Sequence, residues 1–149
     1  MRDRRRLQKL VQLVAVQRAR RGCAEDSLRQ ARDREEQARK AEREALDRSE
    51  TAHRDWLALI SAPAFSPELS QALAHRLVGL DGEAQGAAAR SAAAAEVSAR
   101  RQREWQELEA QVRSGDGSVK RLDRRVRRSD EERRLGERAD LTTYSRCRP

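Results

Sequence analysis

Leu10, Gln17, Ala24, Ala31, Ala38, Ala45, Ala52 and Leu59 recur at every seventh residue, and the five central members are all alanine. Seven residues make almost two α-helical turns, so such a series stays on one face of a helix and on no single face of a strand. A companion series three residues upstream reads Leu7, Val14, Arg21, Leu28, Glu35, Glu42, Ser49 and Trp56, apolar at its ends and polar in its middle. Farther along the chain the pattern returns as Leu73, Leu80, Ala87, Ala94, Arg101 and Leu108, beside Leu77, Ala84, Ser91, Ser98, Trp105, Val112, Val119 and Val126. Small side chains at these positions let two helices approach closely, and the larger ones at the ends fill wider gaps.

The repeat is interrupted once, by Ser61-Ala62-Pro63-Ala64-Phe65-Ser66-Pro67, where two of the chain's three prolines lie. A residue preceding proline leaves the α region, so the first helix should stop near Ile60. Ser66 as N-cap, Pro67 at the first helical position and Glu68 in the first turn start another. These signals predict an all-α fold of two long helices in a single antiparallel coiled-coil hairpin. Its first helix covers about residues 5–60, its turn 61–67 and its second helix about 67–136. With the fold-back centre near residue 65, facing residues should have numbers adding to roughly 130, which sets Leu7, Leu10 and Val14 against Leu122, Val119 and the region of Val112.

Glycine interrupts the second helix in two places, at Gly79, Gly82 and Gly86 and again in Ser114-Gly115-Asp116-Gly117-Ser118. Each helical glycine costs about 1 kcal/mol relative to alanine. Val112, Val119 and Val126 keep one heptad phase across residues 114–118, which favours a bent or frayed helix there over a domain boundary. Beyond Gly136 the periodicity is lost, and residues 137–149 read as a mobile tail.

Composition narrows the function. Of 149 residues only 37% are hydrophobic and 3% aromatic, against 39% charged, so a sizeable globular core is excluded. The first apolar stretch, Leu7 to Val16, is broken by Gln8, Lys9 and Gln12 and lacks the features of a secretory signal. No run of apolar residues is long enough to span a bilayer, and the expectation is a cytoplasmic chain. Cys23 and Cys147 lie at opposite ends without metal-ligand spacing and read as reduced thiols. His53 and His75 could face one another near the turn, but no third ligand has suitable spacing for zinc. Glu35-Glu36 and Glu131-Glu132 read as solvated carboxylates with no pocket to shift their titration. No phosphate-binding, nucleophile-elbow, zinc-protease or dinucleotide motif occurs, so neither an enzyme nor a cofactor is expected.

Charge is distributed unevenly around a net +8. Residues 1–21 hold eight Lys/Arg against one acid and residues 113–149 twelve against seven, which leaves the middle acidic. In a hairpin Arg2, Arg4, Arg5, Arg6 and Lys9 would converge with Lys120, Arg121, Arg124, Arg125, Arg127 and Arg128 into one basic end, suited to an anionic partner.

The layout resembles the stalk proteins of type III secretion systems, of the FliJ/YscO type. The resemblance rests on Leu7-Gln8-Lys9-Leu10-Val11-Gln12-Leu13 close to the N-terminus, Trp56 before a short Pro-containing turn, Trp105 midway down the second helix, and the finish Arg133-Arg134 to Leu141. It implies a bacterial, cytoplasmic protein peripheral to the secretion apparatus, whose paired ends enter the pore of a hexameric secretion ATPase through the basic residues above. It also implies a second contact, near the turn, with the cytoplasmic domain of the export gate, through Phe65, Leu69, Leu73, Arg76, Leu77 and Leu80. Leu73, Leu77 and Leu80 also belong to the seam, so their plainer role is packing. Secretion chaperones stand as further partners.

Two rival classes remain. A basic helical end can lie along phosphates, although this one lacks the Asn/Ala pattern of basic-zipper readers and aromatics for base stacking. A generic scaffold or a chaperone for exported proteins would need an exposed apolar groove, which an alanine-rich seam does not supply. Whatever the partner, Leu10→Asp or Val119→Asp should unravel the terminal end of the hairpin, read as lost helicity by circular dichroism.

Overall fold

The computed structural model describes residues 2–63 and 66–146, with side chains to residue 139. It is all-α: helix α1 covers Arg2–Ile60 and helix α2 Pro67–Arg146, packed as a two-helix hairpin. Among the described residues there is no strand, and no helix is long and apolar enough to cross a membrane. Close contacts gather into two compact units, a terminal one of Met1–Cys23 with Trp105–Pro149 and a turn-side one of Ala24–Glu104.

The helix ends follow from local chemistry. At the end of α1 the Ser61 amide reaches the Leu57 carbonyl at 3.2 Å and the Ala62 amide the Leu59 carbonyl at 3.2 Å, which satisfies two carbonyls that the helix leaves open. At the start of α2 the Leu69 amide donates to Ser66 Oγ at 3.5 Å and the Ser70 amide to the Ser66 carbonyl at 3.0 Å. Pro67 sits where its missing N–H leaves nothing unsatisfied, and Glu68 lies in the positively polarised first turn.

The buried residues of α1 are Val14, Leu28, Ala31, Ala45, Ser49 and Ala52, and those of α2 are Leu77, Ala84, Ala87, Ser91, Ser98 and Val112. Every one belongs to the four heptad series. Ala45, Ala84 and Ala87 form one cluster of buried residues, within the turn-side unit. Cross-helix pairs are in register with a centre within the turn: Arg21 with Glu109 and Ser49 with Asp81 have numbers adding to 130, and Arg18 with Asp116 and Arg32 with Gln102 to 134.

Of two stretches of α2, the first keeps the helix that the valine phase favours and the second runs past its expected end. Residues 114–118 continue as helix, and no glycine takes a positive φ. The reason is a close approach: a Cβ on Gly115 would lie 2.7 Å from Val14 Cγ2 and 3.2 Å from Gln17 Oε1 of α1. Neighbouring groups then support the segment, with Asp116 accepting from Arg18 and Ser118 Oγ donating to the Ser114 carbonyl at 3.0 Å. Helix α2 also passes the point where its periodicity stops: residues 137–146, read from sequence as a tail, extend it, while 147–149 lie outside the described residues. Gly136 is one isolated glycine, and the residues around it are good helix formers with no proline before Pro149.

The glycines separate packing from propensity. Gly82 has nothing within 4 Å of an added Cβ, so Gly82→Ala should stabilise the helix by about 1 kcal/mol. Gly115→Ala gains the same propensity yet drives a methyl into the stiff Val14 side chain, and it should lower the melting temperature. Thermal unfolding of both variants should give shifts of opposite sign.

Candidate binding surfaces

In the terminal unit two sets stand out among the cations of α1. Arg4 Nη2 lies 2.6 Å from Asp130 Oδ2, Arg18 Nη2 2.8 Å from Asp116 Oδ1, and Arg21 Nη1 3.0 Å from Glu109 Oε2. Glu109 also receives Arg113 Nε at 3.1 Å, which makes it the junction of a three-residue network. Its side chain is only 19% exposed, so these bonds are partly shielded from water. The hydrogen bonds from Arg113 and Arg21 hold its carboxyl below the ordinary 4.5, outweighing the opposing effect of burial. Asp130 is likewise held below 3.8, chiefly by Arg4.

Arg2, Arg5 and Lys9 form the second set, exposed and with no ion-pair or hydrogen-bond partner among the described residues. They line one shallow concavity with Arg6, whose nearest acid, Asp3, is a loose 3.9 Å away. On α2, Arg127 is occupied by Asp123 at 2.9 Å, and Arg121 donates to Ser118 Oγ at 3.1 Å. Lys120, Arg124, Arg125 and Arg128 are exposed and unpaired among the described residues. Of the cations that sequence groups together at the basic end, Arg4 and Arg127 are therefore held by internal carboxylates, and most of the rest present their charge to solvent.

The turn-side unit places the other expected contact residues unevenly. Leu77 is a seam residue, 7% exposed, and Leu73 and Leu80 are half-buried. Leu69 and Arg76 are exposed, while Phe65 lies outside the described residues. Sequence reading passed over Leu57 and Ile60, which are exposed in the last turn of α1. Their position between the heptad series is the signal that could have found them. The polar middle of the seam is also worked out here: buried Ser49 donates a short hydrogen bond to Asp81, and His53 Nε2 lies 3.4 Å from the same carboxylate. Beyond it, Arg39 covers Glu35 at 2.6 Å. Trp56 and Trp105 are both half-buried in their seam positions, with their indole nitrogens covered and without an acceptor among the described residues. Cys23 is exposed.

The depressed carboxyls set a direction for acid sensitivity. A carboxyl titrating lower in the folded state than in the unfolded chain stabilises the fold above its unfolded value, and that contribution disappears as pH falls through the folded value. Glu109 and Asp130 should therefore support the terminal unit at neutral pH and cease to do so in the range below about pH 4. In Glu109→Gln the drop in melting temperature between about pH 7 and about pH 3 should be smaller than in the unaltered protein. Comparison with protein families, curated proteins and solved structures finds no match to this chain.

Proposed function

We propose that this chain is a non-enzymatic central stalk of a type III protein secretion apparatus, which links the hexameric secretion ATPase to the export gate. The observation that carries this reading is the group of unpaired cations in the terminal unit: Arg2, Arg5 and Lys9 on α1, with Lys120, Arg124, Arg125 and Arg128 on α2. A coiled-coil hairpin whose own acids neutralised its arginines would offer an ATPase ring no electrostatic purchase. Here the internal acids take Arg4, Arg18, Arg21 and Arg127 and leave the others available. Exposed Leu57, Ile60 and Leu69 supply the apolar component of a contact with the gate near the turn. Nucleic-acid binding is the competing reading, favoured by the same unpaired cations, since phosphates need no shaped pocket.

Reversal of Arg124, Arg125 and Arg128 to Glu separates the two. It spares Arg127 and its bond to Asp123. The unaltered protein should raise the ATP hydrolysis rate and hexamer population of the secretion ATPase from the same genome, and the reversed protein should fail to do so at unchanged helicity. Equal stimulation by both forms rejects the basic-end mechanism. No stimulation by either, together with DNA binding that weakens steeply with salt, establishes the nucleic-acid reading instead.

A further inference from the structure

Arg2, Arg5, Lys9, Leu13, Val16 and Arg20 are spaced by three and four residues, which places them on one continuous stripe of α1. All six are exposed. Leu13 and Val16 are 53% and 50% exposed, so the centre of the stripe is aliphatic and its two ends are cationic. No acid occurs on α1 between Asp3 and Glu25, and Arg20 has no partner among the described residues although Arg18 and Arg21 on either side of it bind α2. The helix therefore turns one side to its partner helix and keeps a second amphipathic side unused.

From this arrangement we infer that the stripe docks an acidic amphipathic helix of another protein, with Leu13 and Val16 against its apolar face and Lys9 and Arg20 against flanking carboxylates. The stripe covers five turns, about 28 Å, which matches one helix lying alongside. Pairing of this stripe with the same stripe of a second copy is excluded, because it carries no acid and two such faces repel. A nucleic-acid duplex would satisfy the cations but set two aliphatic side chains against phosphates with no gain from their burial. A bilayer surface calls for a broader apolar face with aromatic residues, which this stripe lacks. The inference shares Arg2, Arg5 and Lys9 with the secretion reading, but Leu13, Val16 and Arg20 lie outside the cations on which that reading rests.

The test uses the full chain and three probes: a labelled 20-residue peptide helix with leucines on one face flanked by glutamates, a 20-base-pair DNA duplex, and vesicles containing phosphatidylserine. Leu13→Gln with Val16→Gln keeps good helix formers at both positions, and circular dichroism verifies that the fold is retained. The peptide should bind, its affinity should fall at least tenfold in this double variant, and Lys9→Glu with Arg20→Glu should weaken it and flatten its salt dependence. DNA affinity should be indifferent to the glutamine pair. A peptide that does not bind, or binds the glutamine variant equally well, overturns the inference. Tighter binding of vesicles that depends on Leu13 and Val16 overturns it in favour of a membrane surface. Neither of these results bears on ATPase stimulation, so failure here and failure of the stalk reading are distinguishable.

Discussion

Two helices with alanine and serine at most of their buried positions can cover those residues only if the backbones come close, and the rest of this structure depends on that closeness. Ala31, Ala45, Ala52, Ala84 and Ala87, with Ser49, Ser91 and Ser98, reach burial below one tenth exposure although none carries a long side chain. Each contributes little area, on a scale where a whole buried leucine or valine side chain is worth about 1.5–3 kcal/mol. Stability then accumulates through repetition along the helices, with larger anchors at Val14, Leu28, Leu77 and Val112.

Close approach also explains one glycine that looks like a flaw. Gly115 lies where α2 meets Val14 and Gln17, and any side chain there would collide with one or both. The helical cost of glycine is offset by contact that a bulkier residue would prevent. Gly82, with open space around it, has no such justification in packing.

Charge does different work on different sides of the helices. Arg4, Arg18 and Arg21 reach Asp130, Asp116 and Glu109 across the terminal unit and fix the pairing of α1 with α2. Exposed pairs of this kind contribute modestly to stability, but the Glu109 junction, with two arginines on one largely covered carboxylate, is better placed than an isolated surface pair. Cations that find no internal acid remain for recognition, where they raise encounter rates and set specificity more than they add affinity.

The sequence by itself determined the two helices and the faces they bury. Heptad spacing is a local geometric property, and the four series picked out of 149 residues contain every buried position described. The proline-containing turn and the Ser66 cap were legible for the same reason, since they act through neighbouring backbone. Only the tertiary structure decided which of many identical arginines are occupied. Arg18 and Arg20 differ by two residues, and the choice between them rests on where Asp116 of α2 comes to lie. The stretch from Leu7 to Val16 is apolar on several sides; heptad phase assigned Val14 to the seam, and Val11, Leu13 and Val16, outside the series, stay exposed because the partner helix covers one side alone. At residues 114–118 the valine phase favoured helix against glycine's intrinsic penalty, but the close contact that accompanies Gly115 comes from residues a hundred positions away and is not written in the local pattern.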